Sequence, residues 1–245
     1  KMHRFFVAPE LIQQLDAVIS LPKELAHQLR DVLHLQVGEQ VVLLDNSGDE
    51  IAATIASASK SAVDVQLLER RAGKSESNVR IMLCQGLLKS ARFEWILEKG
   101  TELGVSVFAP ILCRRSLAGL EDAGTAKIHR WQRIITEAAE QSGRARLPEL
   151  LPIRSLKDAL DNMPSGALAF MPWEEERAVM LRDVLKSPSS QTVFLFIGPE
   201  GGLTVDEVKL AQQHGAQIVS LGSRILRAET AALAAVASVM YELER

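Results

Sequence analysis

The feature that most restricts what this chain can fold into is an alternation beginning at Val79, where short apolar runs take turns with amphipathic stretches of helical period. Arg80–Cys84 reads as a strand, Arg92–Leu103 as a helix closed by Gly104, and Val105–Ile111 as a second strand. Lys127–Gln141 comes next as a helix with Trp131, Ile134, Ile135 and Ala138 on one face. Ala167–Met171, Thr192–Ile197 and Gln217–Leu221 are further short strands, and Ala228–Glu244 is a long, Ala-rich final helix. Parallel strands need crossovers and helices supply them, so the pattern predicts an α/β fold with a mostly parallel sheet and helices on both faces.

The first seventy residues keep another rhythm. Pro22 can open a helix with Leu25, Leu29, Val32 and Leu33 on one face. Strands come after it: Val41–Leu44 and Ile51–Ile55 joined by the turn Asn46-Ser47-Gly48-Asp49, and a third with Val63, Val65 and Leu67 alternating. This is a small β-rich module. The polar stretch Arg70 to Asn78 lacks periodicity and is the expected linker, which gives domains 1–72 and 73–245.

Composition narrows the function classes. With 47% hydrophobic and 24% charged residues, and no apolar run long enough to span a bilayer, the chain is expected to be a soluble globular protein that does not enter membranes. Its first residues lack a signal-peptide pattern, and Lys1 ahead of Met2 reads as an addition to the natural start. Cys84 and Cys113 fit neither a disulfide framework nor a zinc spacing, so a reducing cytoplasm is expected, and no metal. The net charge of -3 argues against a uniformly basic nucleic-acid surface. Residues 80–146 are nevertheless locally basic, with 11 Lys and Arg against 7 Asp and Glu.

Two loops carry the chemistry. The run Thr192 to Ile197 (TVFLFI) is a strand buried on both faces, and it leads into Gly198-Pro199-Glu200-Gly201-Gly202. Thr204 and Glu207 then have the spacing of a capping box that opens a helix. The loop matches neither a P-loop nor a dinucleotide fingerprint, and Pro199 and Glu200 suit a phosphate poorly, so a neutral or cationic ligand fits better. A tight turn needing positive φ is the plainer reading. The second loop comes after the last strand in LGSRILRAETA, where Ile225 and Leu226 lie between Arg224 and Arg227. Consecutive aliphatics in a loop must pack on something, and a flat ligand would serve. If the two strands are neighbours, their carboxyl ends form a crevice.

FIGPEGGLTVDEV, LGSRILRAETA, LEKGTELGV (Leu97–Val105) and EAAEQSGRARLPEL (Glu137–Leu150) together resemble the RsmE family, the 16S ribosomal RNA uracil-N3 methyltransferases of the SPOUT superfamily. HQLRDVLHLQVGE in the β-rich start resembles that family's PUA-like RNA-binding domain, although His34 stands where the family usually has arginine. Residues 120–128 and 172–190 show little resemblance. The resemblance implies a SPOUT-type sheet with a C-terminal trefoil knot, preceded by a small PUA-like β-barrel. It also implies S-adenosylmethionine held by Ile197, Gly198, Gly202, Leu221, Gly222, Ile225 and Leu226, with Met171 and Thr230 nearby. The implied partner is 16S rRNA, within the small ribosomal subunit, and the implied assembly is a homodimer, for which the final helix from Ala231 to Leu243 is the candidate interface.

Methylating N3 of uracil requires loss of a weakly acidic proton and in-line attack on a methyl group. Arginine suits the charge that spreads to O2 and O4, which makes Arg144, Arg227 and Arg115 candidates. Glu200 and Glu229 are the candidate bases, and positioning with local electrostatics is the alternative to both. For RNA contact, His27, Arg30 and His34 fall at i, i+3 and i+7 of the predicted helix, and join Lys89, Arg92, Arg114 and Arg115 as a track. Two other functions stay open: a SPOUT ribose 2′-O-methyltransferase, and an RNA-binding protein without catalysis.

Overall fold

A computed structural model describes residues 2–12, 14–117, 119, 124–186 and 190–244. The reading of Lys1 and part of the 120–128 stretch lie outside these. The chain forms two compact units, one of residues 1–76 with 139–147, the other of 77–138 with 148–245.

In the first unit, strands β1 (His3–Phe6), β2 (Val18–Ser20), β3 (Gln40–Leu44), β4 (Asp49–Ala58) and β5 (Val63–Ala72) form one sheet in the order β1-β3-β4-β5-β2. β1 pairs parallel with β3 and the rest are antiparallel. The β3–β4 turn is as expected, with Asn46 and Gly48 at φ 64 and 98. Val41 and Leu43 pack with Phe5, Leu29, Ile51 and Val65 on one face, while Val42 and Leu44 pack with Ala145 on the other. That second layer comes from residues 139–147, which a linear division of the chain would place elsewhere. Glu140 accepts from the Phe6 amide at 2.9 Å, and Asn46 accepts from the Leu147 amide at 2.7 Å.

Two expectations for this unit need correction. The helix α1 (Lys23–His27) passes into a π-helical turn over Gln28–Val32. The wider turn rotates the residues after it, so Leu29 is buried while Val32 is 60% exposed. His34, at φ 55, has left the helix, and His27, Arg30 and His34 form no single stripe. The expected linker also starts too early. β5 runs to Ala72 because its backbone stays paired with β4 as far as Asp49, and Arg70, which looked like linker, also meets Asp45 at 2.8 Å and Asp49 at 3.1 Å.

The second unit runs β6 (Arg80–Gly86), α2 (Ser90–Glu102), β7 (Val105–Leu112), α3 (Thr125–Ser142), β8 (Glu149–Leu150), β9 (Arg154–Ser155), α4 (Leu156–Asp161), β10 (Leu168–Pro172), α5 (Leu181–Val184), β11 (Thr192–Ile197), α6 (Val205–Gln213), β12 (Gln217–Val219) and α7 (Ala228–Leu243), the last turn of α3 belonging to the first unit. All pairings in its seven-stranded sheet are parallel, in the order β12-β10-β11-β6-β7-β8 with β9 also on β7. Side chains alternate across β11: Val193, Leu195 and Ile197 face a layer with Phe93, Trp131 and Val236, whereas Phe194 and Phe196 face one with Leu160, Val208 and Ala211. This two-sided burial is why TVFLFI is apolar throughout. α7 buries Ala232, Ala235, Val236, Val239 and Met240, and Gly104 lets Met240 pack where a Cβ would sit 2.6 Å from its terminal methyl. Among the described residues, no helix is long and apolar enough to cross a membrane.

Candidate active site

Parallel strands end together, and their carboxyl-end loops can enclose a ligand. In the second unit the loops after β10, β11 and β12 line a cleft of about 240 Å³. The loops after β11 and β12 were expected to come from neighbouring strands. In fact β10 lies between those strands, so its own loop, Pro172 to Glu174 with Arg177, adds a third wall.

The glycine loop is held from several directions. Within it, Gly202 needs its conformational freedom, at φ 73. Gly198 and Gly201 are small because of the atoms beside them: a Cβ would meet Leu203 at 2.9 Å in the first case and Arg115 at 2.9 Å in the second. Gly86, at the end of β6, admits the loop backbone, since a Cβ there would lie 2.5 Å from the Pro199 nitrogen. Arg115 donates to the carbonyls of Gly201 at 3.2 Å and Leu203 at 3.4 Å. Arg92 pairs with Glu200 at 2.7 Å. Beyond the loop, Thr204 and Glu207 complete the expected capping box, and Glu207 also accepts from the Arg114 amide at 2.7 Å.

The loop after β12 is sparer. Ser220 exchanges hydrogen bonds with Gly222 at 3.3 Å, and Gly222 sits at φ 126. Among the described residues, the amides of Leu221, Ile225 and Leu226 find no acceptor. Ile225 is 79% exposed, which is costly for an aliphatic side chain unless something covers it. The Trp173 indole nitrogen is also buried without a partner among the described residues. Apolar walls with unsatisfied donors are a setting for a flat, hydrogen-bonding ligand.

Of the residues singled out from sequence, Ile197, Gly198, Glu200, Gly202, Leu221, Gly222, Ile225, Leu226 and Arg227 line this cleft together. Met171 does not: it is wholly buried in the core with Phe196 and Ile218, and its successors on β10 reach the cleft instead. Thr230 lies exposed on α7, outside the lining. Glu229 turns toward Arg92 at 3.7 Å and leaves Oε2 buried without a partner among the described residues. Arg144 belongs to the first unit and is buried there. Glu76 holds it at 3.0 Å and also accepts from the amides of Ala145 at 2.9 Å and Arg146 at 3.0 Å.

The residues expected to meet RNA divide between the two units. Arg30 is engaged by Asp31 and by the carbonyls of Ser59 and Lys60, and His27 contacts Asp31 at 2.6 Å. Those contacts, Arg30 first, hold the Asp31 carboxyl well below the usual carboxylate range. Lys89 and Arg114 are exposed. Burial pushes the Cys84 thiol up to about 12, and burial with Glu207 nearby raises Cys113 further, so neither is a thiolate nucleophile at neutral pH. The sequence reading missed Trp173, Glu174 and Arg177, which come after a strand without a glycine to mark them.

This cleft at the carboxyl ends of a parallel sheet coincides with a family match. Residues 75–240 match the RNA methyltransferase domain model. The ribosomal RNA small subunit methyltransferase E of Bacillus subtilis is 32% identical over 99% of this chain and 98% of its own length. That of Synechocystis is 36% identical over 99% of this chain and 78% of its own. A crystal structure of the Neisseria gonorrhoeae ribosomal RNA small subunit methyltransferase E, bound to S-adenosyl methionine, superposes with a TM-score of 0.90 at 34% identity over 98% of both chains. The chain belongs to the ribosomal RNA small subunit methyltransferase E family.

Proposed function

We propose that this protein methylates N3 of a uridine in 16S ribosomal RNA with S-adenosylmethionine as donor. The observation that carries the reading is the three-walled cleft of the second unit, whose lining repeats most of the expected cofactor residues and whose relative from Neisseria gonorrhoeae is bound to that cofactor. The residues fit the cofactor. Ile197, Leu221, Leu226 and exposed Ile225 offer apolar faces to an adenine, and the open amides of Leu221, Ile225 and Leu226 offer donors. Arg92 neutralises Glu200, and nothing in the loop copies a phosphate cradle. When bound, the cofactor supplies a methyl group on a sulfonium, open to in-line attack.

The chain's own residues then have two tasks. Arg227, exposed at the cleft with a permanent charge, stabilises the negative charge that spreads over O2 and O4 as N3 loses its proton. Local positive charge also lowers the N3 pKa, which lightens the demand on a base. Glu200 and Glu229 both lie within reach of Arg92 and are engaged by it, so the N3 proton is left to pass to solvent. Arg144 is the second guanidinium proposed for turnover, on the strength of its motif. Arg144→Ala is expected to abolish turnover while cofactor binding, measured by calorimetry, stays intact; loss of both would make its role structural.

The family resemblance supports finer proposals. The first unit is read as a PUA-like RNA-binding barrel with His27 as an RNA contact, Lys89, Arg114 and Arg115 of the second unit are read as RNA contacts too, and the chain after β12 as part of a trefoil knot. A cytoplasmic homodimer acting on the small ribosomal subunit completes the reading. The test is transfer of labelled methyl to unmethylated small subunits, with free 16S RNA in parallel and nuclease digestion of the product. The expected product is 3-methyluridine; label on a ribose 2′-oxygen, or no transfer at all, overturns the proposal.

A further inference from the structure

Three elements distant in sequence meet at one guanidinium. Arg92 lies in the first turn of α2, Glu200 in the glycine loop after β11, and Glu229 in the first turn of α7. Arg92 Nη1 is 2.7 Å from Glu200 Oε1, and its Nε is 3.7 Å from Glu229 Oε1. Glu200 lines the cleft, and so do Ala228 and Ala231 on either side of Glu229. One cation thus connects two walls of the cleft through the carboxylate that each wall presents.

We infer that Arg92 is a positioning residue for the cofactor cleft, and not an RNA contact. Stability does not explain the arrangement. Arg92 keeps 42% of its side chain exposed, and an ion pair this open adds little to a fold. Geometry does explain it: a planar guanidinium has several donors in fixed directions and can hold two carboxylates at once. The second carboxylate is not otherwise satisfied, because Glu229 Oε2 is buried with no hydrogen-bond partner among the described residues. Without Arg92, that carboxylate would keep a buried oxygen and have no cation beside it, which favours movement of the α7 first turn. The glycine loop would keep Arg115 on its other side, so the effect would fall on the spacing between the walls and not on the loop's existence. Arg92 is thereby withdrawn from the RNA track.

This inference rests on the cofactor reading above, and the experiment separates the two. S-adenosylmethionine is titrated calorimetrically into the full chain as wild type, Arg92→Met, Arg92→Gln and Arg92→Lys, each checked by thermal melting. RNA affinity is measured across a salt series. We expect Arg92→Met to raise the cofactor Kd by about tenfold, Arg92→Lys to recover part of it, and the RNA salt slope to stay unchanged. If Arg92→Met binds cofactor like wild type while the RNA salt slope falls by about one, Arg92 is an RNA contact and the inference is overturned. If Arg92→Met fails to fold, Arg92→Gln decides: a folded protein that binds the cofactor like wild type overturns it. No cofactor binding by wild type would sink the proposed function itself, a result distinct from either.

Discussion

The two loops contributed by β11 and β12 line the same cleft by opposite means. The glycine loop is shaped before any ligand arrives. Its glycines admit neighbouring atoms, Arg115 holds two of its carbonyls, and the capping box secures its exit into α6. The loop after β12 makes few bonds of its own, leaves amides open among the described residues and presents Ile225 to solvent. On the function proposed above, one wall would set the place of the ligand and the other would supply contacts that a ligand completes. A mutation in the first wall should therefore register in stability as well as binding, whereas one in the second should register in binding alone.

The sharpest way to break this comparison is Gly86→Ala. The added methyl would sit 2.5 Å from the Pro199 nitrogen and 2.8 Å from the Gly198 carbonyl carbon, and backbone cannot step aside cheaply. A drop of about 1–3 kcal/mol in chemical denaturation is expected, together with weakened cofactor binding. Thr204→Ala removes the cap at the exit of the same loop and should cost about 1 kcal/mol by the same measurement. On the other wall, Ile225→Ala should leave stability within about 0.5 kcal/mol of wild type. Its cofactor Kd should rise about fivefold, because a methyl side chain covers less of an apolar ligand. Equal destabilisation by Ile225→Ala and Gly86→Ala would end the distinction between the walls.

The smallest effect concerns the far end of α6. His214 bonds the Leu210 carbonyl at 2.8 Å and Asp161 at 2.9 Å, and these, the carbonyl first, raise its pKa against the opposing charge of Lys157. A raised folded value means that protonation favours the folded state. The contribution is therefore full below the ordinary histidine value of about 6.5 and fades as pH rises through the higher folded value. Melting temperature measured from pH 5 to 9 should fall slightly more in wild type than in His214→Gln over that interval. Cofactor affinity should not change with it, since this contact lies away from both walls.

Much of the site was legible locally. TVFLFI, the glycines after it, and Thr204 with Glu207 are near neighbours whose patterns report burial, a loop and a helix start through short-range physics. Ile225 and Leu226 were visible for the same reason, as aliphatics out of place in a loop. Met171 falls outside the cleft lining because a strand's final residues look alike in sequence, while only the neighbouring layers determine which of them is covered. Trp173 and Glu174 were invisible because they matter through β10's position between β11 and β12, and strand order is a long-range outcome.

The sequence by itself determined the elements and their class. Alternating apolar periods required a parallel sheet clothed in helices, and hairpin turns with two-residue alternation required a separate β-rich sheet, because backbone hydrogen bonding and burial act on residues close along the chain. Tertiary structure alone decided which segments met. It sent residues 139–147 to the first unit, seated Arg144 against Glu76, and brought Arg92 between Glu200 and Glu229. Such meetings depend on packing between segments about a hundred residues apart, where no local periodicity carries a signal and only the filled core selects the partner.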